Sequence, residues 1–316
     1  MQRITRSQNR ERRSGNHGPV TRRETTLRHF IWIACAILTA AIPLSASEKY
    51  EVTGVLLQVD PRHHSMTVSC KEIPGYMEAM AMPFPVHDSK LFDGLEPGMS
   101  LDFSLIVDKD SSYAEDIRIH PFESLELDPT EARRYKVMEN AMATRSAADV
   151  LHVGQPVPDF SLTDQNRQHI SLSQFAGKVV AITFIYTRCP RPDYCVRLSN
   201  NFGLLQRRFQ SRLGSDLILL TIVIDPVHDQ PETLTAYANT WKADSRNWHF
   251  LTGPLPTIQQ LCRKFDMAFY PDEALFVHSF HTVVIDRQGK LAANLEGNEF
   301  SAQQLGDLVE TVMPKP

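Results

Sequence analysis

Val179-Val180-Ala181-Ile182-Thr183-Phe184-Ile185-Tyr186-Thr187-Arg188-Cys189-Pro190-Arg191-Pro192-Asp193-Tyr194-Cys195 is the stretch on which the fold turns. Its first part, Val179 to Tyr186, is apolar or β-branched throughout and runs into a proline-rich turn, so it reads as a strand buried on both faces. A helical pattern follows from Val196 to Arg212. A chemical motif caught between the end of a buried strand and the start of a helix is where open α/β sheets place their sites. Outward toward the C-terminus, Asp216 to Ile224 reads as a second buried strand and Pro231 to Trp241 and Thr257 to Phe265 as helices. Thr282 to Asp286 and Lys290 to Asn294 read as a hairpin around Gly289, with a last helix from Ser301 to Val312.

Toward the N-terminus the pattern changes. A chain of 316 residues, 42% apolar and 22% charged, is long enough for two separate cores. Short strands are predicted over Val52 to Val59, Met66 to Cys70, Leu101 to Val107 and Tyr113 to Ile119. Pro61-Arg62-His63-His64 and Lys109-Asp110-Ser111-Ser112 supply the hairpin loops. So many short strands predict a small all-β, OB-like barrel over residues 48–120. Residues 121–152 are predicted to be a helical linker, because Leu127 to Leu151 is rich in Glu, Ala, Arg and Met, lacks Gly, and has Pro129 where a helix can begin. The α/β domain then occupies 153–316, and its order of elements fits the thioredoxin fold.

Residues 1–47 read as an export signal or membrane anchor. Phe30 to Leu44 carries no charge and follows Arg22, Arg23 and Arg28. As a helix it would span about 22 Å against the ~30 Å of a hydrocarbon core. Ser45-Ala46-Ser47 offers small residues for cleavage, so a cleaved signal and an anchor over residues 30–46 both stand. The net charge of -4 hides an asymmetry: eight Arg face Glu11 and Glu24 before residue 30, leaving 25 basic and 35 acidic residues after it. That acidic remainder argues against a nucleic-acid partner.

Five cysteines are too few for a disulfide-stapled scaffold. Cys35 lies in the export segment, Cys70 in the first domain, and Cys262 at apolar spacing with Ile258 and Phe265, as a core residue would. Cys189 and Cys195 alone suggest chemistry by spacing. Two thiols at the mouth of a helix can exchange with a disulfide, bind a soft metal or be attacked by peroxide, and the thiolate is the reacting form each time. The helix beginning near Val196, with Arg188 and Arg191, favours that thiolate. The two-residue gap of thioredoxin-type redox motifs is absent, and a zinc site would need a second ligand pair. Two thiolates with an imidazole suit copper, which is soft as Cu(I) and accepts imidazole nitrogen as Cu(II), while an inert structural disulfide remains the bland alternative.

From Gly154 to about Val312 the chain resembles the Sco/SenC family: a strand ending Tyr186-Thr187-Arg188-Cys189-Pro190, a second cysteine at Cys195, Asp225-Pro226 with Asp229 after the next strand, and a histidine eight residues ahead of Asp286. Most members have three residues between the cysteines, whereas this chain has five. The resemblance implies a thioredoxin-like domain in which His278 joins Cys189 and Cys195 as copper ligands. Spacing alone would leave His278 an ordinary hydrogen-bonded histidine, and His281, on the opposite face of an extended segment, keeps that reading. Asp225 and Asp229 are expected to cap the helix at Pro231 rather than to orient the loops beside the site.

In the first domain, Met77, Met80 and Met82 fall within Met77-Glu78-Ala79-Met80-Ala81-Met82, where they either fill a small core or present thioether sulfurs to Cu(I). The segment resembles the CusF-like periplasmic copper-binding domains. That resemblance implies Met80 and Met82 as a ligand pair, Cys70 where those domains have a His, and Met77 where some have a covering Trp. Together the resemblances imply a copper metallochaperone serving the cytochrome c oxidase subunit with the binuclear copper site. Its alternatives are a thiol-disulfide oxidoreductase, with Cys189 and Cys195 as a redox-active pair working beside thioredoxin-like reductants, and a periplasmic copper buffer.

Overall fold

The computed structural model of the chain describes residues 47–120, 150–267, 269–272 and 275–313, with side chains left out over 269–272 and 275–277. The expected export segment, Cys35 and nearly all of the expected helical linker lie outside these described residues.

Five strands form the first sheet: β1 (Glu48–Asp60), β2 (Ser65–Cys70), β3 (Ala81–Pro85), β4 (Ser100–Val107) and β5 (Ser112–Ile119), antiparallel in the order β3-β2-β1-β4-β5. A bridge between Val86 and Ala114 brings the two edges together, as a small barrel requires. Strand β3 had not been expected, because Pro83 and Pro85 argue against an interior strand. It lies at an edge, where missing N–H groups are tolerated. Inside, Phe84 meets Phe103 edge to face at 5.0 Å, both fully buried with Leu56, Val68 and Leu101. Burying side chains of this size contributes about 1.5–3 kcal/mol each.

The second sheet is seven-stranded: β6 (Ser161–Asp164), β7 (His169–Ser171), β8 (Val179–Ile185), β9 (Leu217–Val223), β10 (Trp248–Thr252), β13 (His281–Ile285) and β14 (Leu291–Glu296), in the order β14-β13-β8-β9-β10-β6-β7. Strands β8, β9 and β10 run parallel, and β8 and β9 are buried at every residue, which is why they read as continuous apolar runs. Helices α1 (Arg197–Arg208), α2 (Pro231–Thr240), α3 (Leu255–Lys264) and α4 (Ala302–Val312) accompany the sheet, and a separate hairpin pairs β11 (Phe269–Asp272) with β12 (Leu275–His278). The parallel centre continued by an antiparallel terminal hairpin is the thioredoxin-like arrangement. Cys262 sits in its core, 1% exposed, as expected.

The described residues all fall within one compact unit. Strand β1 explains this: Val52 and Leu56 face the barrel core, whereas Val55 and Leu57 belong to the core of the α/β part. The run Val55-Leu56-Leu57 is therefore buried on both faces, and α4 packs against β1 and β2.

Candidate metal centre

Strand β8 delivers its last residues to the edge where α1 begins. Cys189 follows in a turn closed by its N–H donating to the Tyr186 carbonyl at 3.2 Å. Residues Pro192–Val196 then form a π-helical turn that runs directly into α1. Cys195 is buried within that turn, whereas Cys189 is partly exposed. Both thiols are free, the Cys189 sulfur lies 3.7 Å from the Arg191 carbonyl, and the two cysteines shift each other's titration. The Cys195 thiol donating to the Cys189 sulfur lowers the Cys189 pKa to about 6; burial opposes the shift, while backbone hydrogen bonds from Arg191 and Cys195 and a further one from Tyr186 assist it. Burial, then the bond and charge of Cys189, push Cys195 well above its ordinary range. One sulfur is thus a thiolate near neutrality and the other a protonated thiol.

The loop is tied down from behind by two acids. Asp229, fully buried, accepts the Thr187 N–H at 3.0 Å and also the Thr187 hydroxyl. Asp225 accepts from Arg188 at 2.6 Å and stands 3.0 Å from Nδ1 of His228. These contacts overturn the capping expectation: the N-cap of α2 is Gln230, with no side-chain cap. Two carboxylates, Asp229 on Thr187 and Asp225 on Arg188, hold the two residues ahead of Cys189 and orient the sulfur loop instead. Burial raises the pKa of Asp229, with Thr187 opposing, whereas for Asp225 burial is outweighed by the bonds from Arg188 and His228, which hold it low.

His278 reaches the same end of the sheet because β13 is antiparallel to β8. The pairing of Thr282 with Thr183 puts the segment just ahead of β13, which carries His278, at the end of the sheet where β8 runs out. Its Nδ1 donates to the Ser279 carbonyl at 2.8 Å, which leaves Nε2 as the acceptor. Burial lowers its pKa to about 4, with the Ser279 bond opposing, so the ring is neutral at physiological pH. Tyr186 stands between His278 and the thiols: its ring meets the imidazole edge-on at 5.8 Å and its side chain bonds the Cys189 sulfur. Among the described residues no three His, Cys, Asp or Glu side chains gather closely enough to hold a metal ion. The structure brings the two thiols together and leaves His278 one aromatic ring away. His281 bonds Asn294 at 3.0 Å.

In the first sheet, Cys70 is buried in the barrel core, and burial alone pushes its pKa up to about 12. Met77 and Met82 pack against that core, while Met80 is 45% exposed. Met80 is joined to Cys70 through its backbone, the Cys70 N–H donating to the Met80 carbonyl at 2.9 Å. Cys70 is therefore a neutral thiol. Accessible soft sulfur comes first from Met80, beside the half-buried Met82.

The fold and the paired thiols define a thioredoxin-like protein with a soft-ligand or redox site at the C-terminal end of β8. The chain belongs to the SCO1/SenC family, whose model matches residues 151–313. A second model, copper binding periplasmic protein CusF, matches residues 49–119. Similar relatives include an SCO2-like protein of Rickettsia typhi, 30% identical over 143 residues (42% of this chain, 65% of the relative). Another is Protein sco1 of Schizosaccharomyces pombe, 27% identical over 141 residues (42% of this chain, 51% of the relative). The chain thus spans between half and two thirds of the length of these two relatives. Solved structures include a SCO1/SenC family lipoprotein from Bacillus anthracis, 23% identical with a TM-score of 0.45, covering 51% of this chain and 99% of that one. Yeast Sco1 with copper bound is 24% identical with a TM-score of 0.42, covering 49% and 86%.

Proposed function

We propose that this chain is an exported copper metallochaperone that holds copper on Cys189, Cys195 and His278 and passes it to the binuclear copper site of cytochrome c oxidase. The observation that carries the reading is the donor set itself: a thiolate, a second thiol coupled to it, and a neutral imidazole whose Nε2 is left as the acceptor, beside the same tyrosine. Two sulfurs and one nitrogen suit a soft ion, and copper is the metal for which the matched CusF domain is named. In this reading Met80 and Met82, with Met77 and Cys70 behind them, form a second copper site. The oxidase as recipient rests on the family. Export is supported by the uncharged segment 30–44 after its arginines and by the periplasmic domain matched at 49–119, with residues 30–46 either cleaved or kept as an anchor. Among the described residues no helix is long and apolar enough to cross a membrane.

Copper loading of the reduced full chain tests the reading. Cys189→Ser or Cys195→Ser should remove one tightly bound copper, and His278→Ala should weaken it by at least tenfold, on the order of one lost ligand bond. Unchanged stoichiometry in both cysteine variants would overturn the assignment.

A second reading has its own observation. A thiol held at about 6 beside one pushed far up is also the arrangement of an attacking and a resolving cysteine. A thiol-disulfide reductase of this kind would keep its exchange rate when His278 becomes Ala, because disulfide exchange needs no imidazole. A copper chaperone would lose affinity in that variant.

A further inference from the structure

One short segment, Asn298 to Asp307, holds both candidate sites. On one flank Asn298 donates to the Asp193 carbonyl at 2.6 Å, between the two cysteines, and the Glu299 carbonyl accepts from Arg197 at 3.0 Å, two residues after Cys195. On the other flank Gln303 donates to the Ala79 carbonyl at 3.0 Å, between Met77 and Met80. Gln304 donates to the Ser69 carbonyl at 2.9 Å, next to Cys70, and the Ser69 hydroxyl donates to Asp307 at 2.7 Å. Gln304 also completes the capping box of α4 with Ser301, so the residue that starts the helix is the one that clamps the barrel to it.

The clamp is not a polar contact alone. Val55 and Leu57 of β1 enter the α/β core, and the backbone of Gly98 lies so close to β14 that an added Cβ would stand 2.8 Å from the Asn294 carbonyl oxygen. A surface that is apolar, backbone-close and hydrogen-bonded fixes one orientation rather than permitting many. In that orientation the methionine segment and the cysteine loop are anchored to residues five apart, 298 and 303, whose Cα atoms can be separated by at most ~18 Å.

We infer that copper moves within one molecule from the Met80–Met82 site to the Cys189–Cys195 site, the α4 segment acting as a fixed strut between them. This rests on the copper reading above and adds the route. Cu(I) keeps its oxidation state throughout: its bonds to thioether sulfur break, bonds to thiolate sulfur form, and the Cys195 proton leaves to water. Thiolate is the stronger ligand, which sets the direction. Met80 is exposed enough to accept an incoming ion, whereas Cys195 is 1% exposed and Cys189 partly covered. A donor on the same molecule needs no encounter with a second chain, so such a transfer is first order in protein, unlike exchange between two chains.

The test is stopped-flow mixing of the reduced full chain with limiting Cu(I), following the ultraviolet thiolate-to-Cu(I) band over a roughly tenfold range of protein concentration. The expected result is a first-order phase whose rate does not change with concentration. It should slow about tenfold in Gln303→Ala/Asp307→Ala, which loosens the strut outside both sites, and vanish in Met80→Leu/Met82→Leu, leaving only bimolecular loading. Gly98→Ala, which wedges β14 away, is the second loosening variant. A rate proportional to protein concentration, or one unchanged in the methionine variant, would overturn the internal route while the band still forms. Absence of the band from every protein would instead overturn the cysteine site itself, and the route with it.

Discussion

Replacing Asp229 distinguishes a tether of the cysteine loop from a cap of α2 by a difference large enough to measure. As tether it accepts the Thr187 N–H and hydroxyl in a fully buried setting. Hydrogen bonds to a charged group contribute about 1.5–3 kcal/mol each, and a buried donor left without a partner costs about 1–3 kcal/mol. Burial disfavours the Asp229 carboxylate itself, so Asp229→Ala recovers part of that loss, and a net cost of about 3 kcal/mol is expected. At about 2–4 °C per kcal/mol for a chain of this size, the melting temperature should fall by about 6–12 °C. Asp229→Ser keeps a favourable capping residue but is too short to reach Thr187, so it should lose nearly as much. The cycle of Asp229→Ala with Thr187→Val, followed by guanidinium unfolding, should give a coupling of about 1.5–3 kcal/mol. Restoration to within about 0.5 kcal/mol by Ser, or a coupling near zero, would return Asp229 to the role of a cap.

Two further outcomes follow from the titrating groups. Alkylation of Cys189 in the reduced chain should titrate with a midpoint near 6, reaching its plateau by neutral pH, and Cys195→Ala, which removes the donating group, should move that midpoint upward; a wild-type midpoint at the ordinary thiol value of about 8.5 refutes the thiol-to-thiolate bond. His278, held near 4 by burial against about 6.5 when unfolded, binds its proton only in the unfolded chain between those values, so its contribution to stability is complete above 6.5 and is lost as pH falls toward 4; the loss is about 3 kcal/mol, it should disappear in His278→Phe, and equal urea-midpoint slopes in the two proteins would refute it.

The sequence disclosed what depends on local pattern. Strands β8 and β9 declare themselves because every residue is buried, and α4 because Ser301 and Gln304 form a capping box that any reading of its start should find. Strand β3 escaped because methionine and proline mask it, and β6, β7 and β10 because they are short and carry Ser, His and Thr among their apolar residues. The role of the acids was misread for a different reason. A cap is a local rule satisfied two or three residues away, whereas the bond that exists links Asp229 to Thr187 across 42 positions. His278 was found only through family resemblance; its place depends on an antiparallel register that no window of sequence reports. The docking of barrel on α/β core did leave a local trace in Val55-Leu56-Leu57, since three adjacent apolar residues in a strand must cover both faces.

The spacing of the cysteines is reconciled with their contact by the helix that follows. On an ideal α-helix, residues six apart point about 120° away from each other, and two sulfurs so placed would not meet. Cys189 is not on the helix: it lies in a turn ahead of it, with Pro190 and Pro192 fixing the backbone between. The π-helical turn at Pro192–Val196 then takes up an extra residue before α1 settles into its regular pitch, which brings Cys195 inward. Asn298 holds that turn by the Asp193 carbonyl, and Asp229 holds the other end by Thr187. With both ends fixed, the five intervening residues bulge and the two thiols stay close enough to shift each other's titration. The chemistry of the pair depends on that separation, not on the residue count. The longer loop therefore leaves an asymmetric thiol pair intact and exposes Pro190, Pro192 and Asp193 around it.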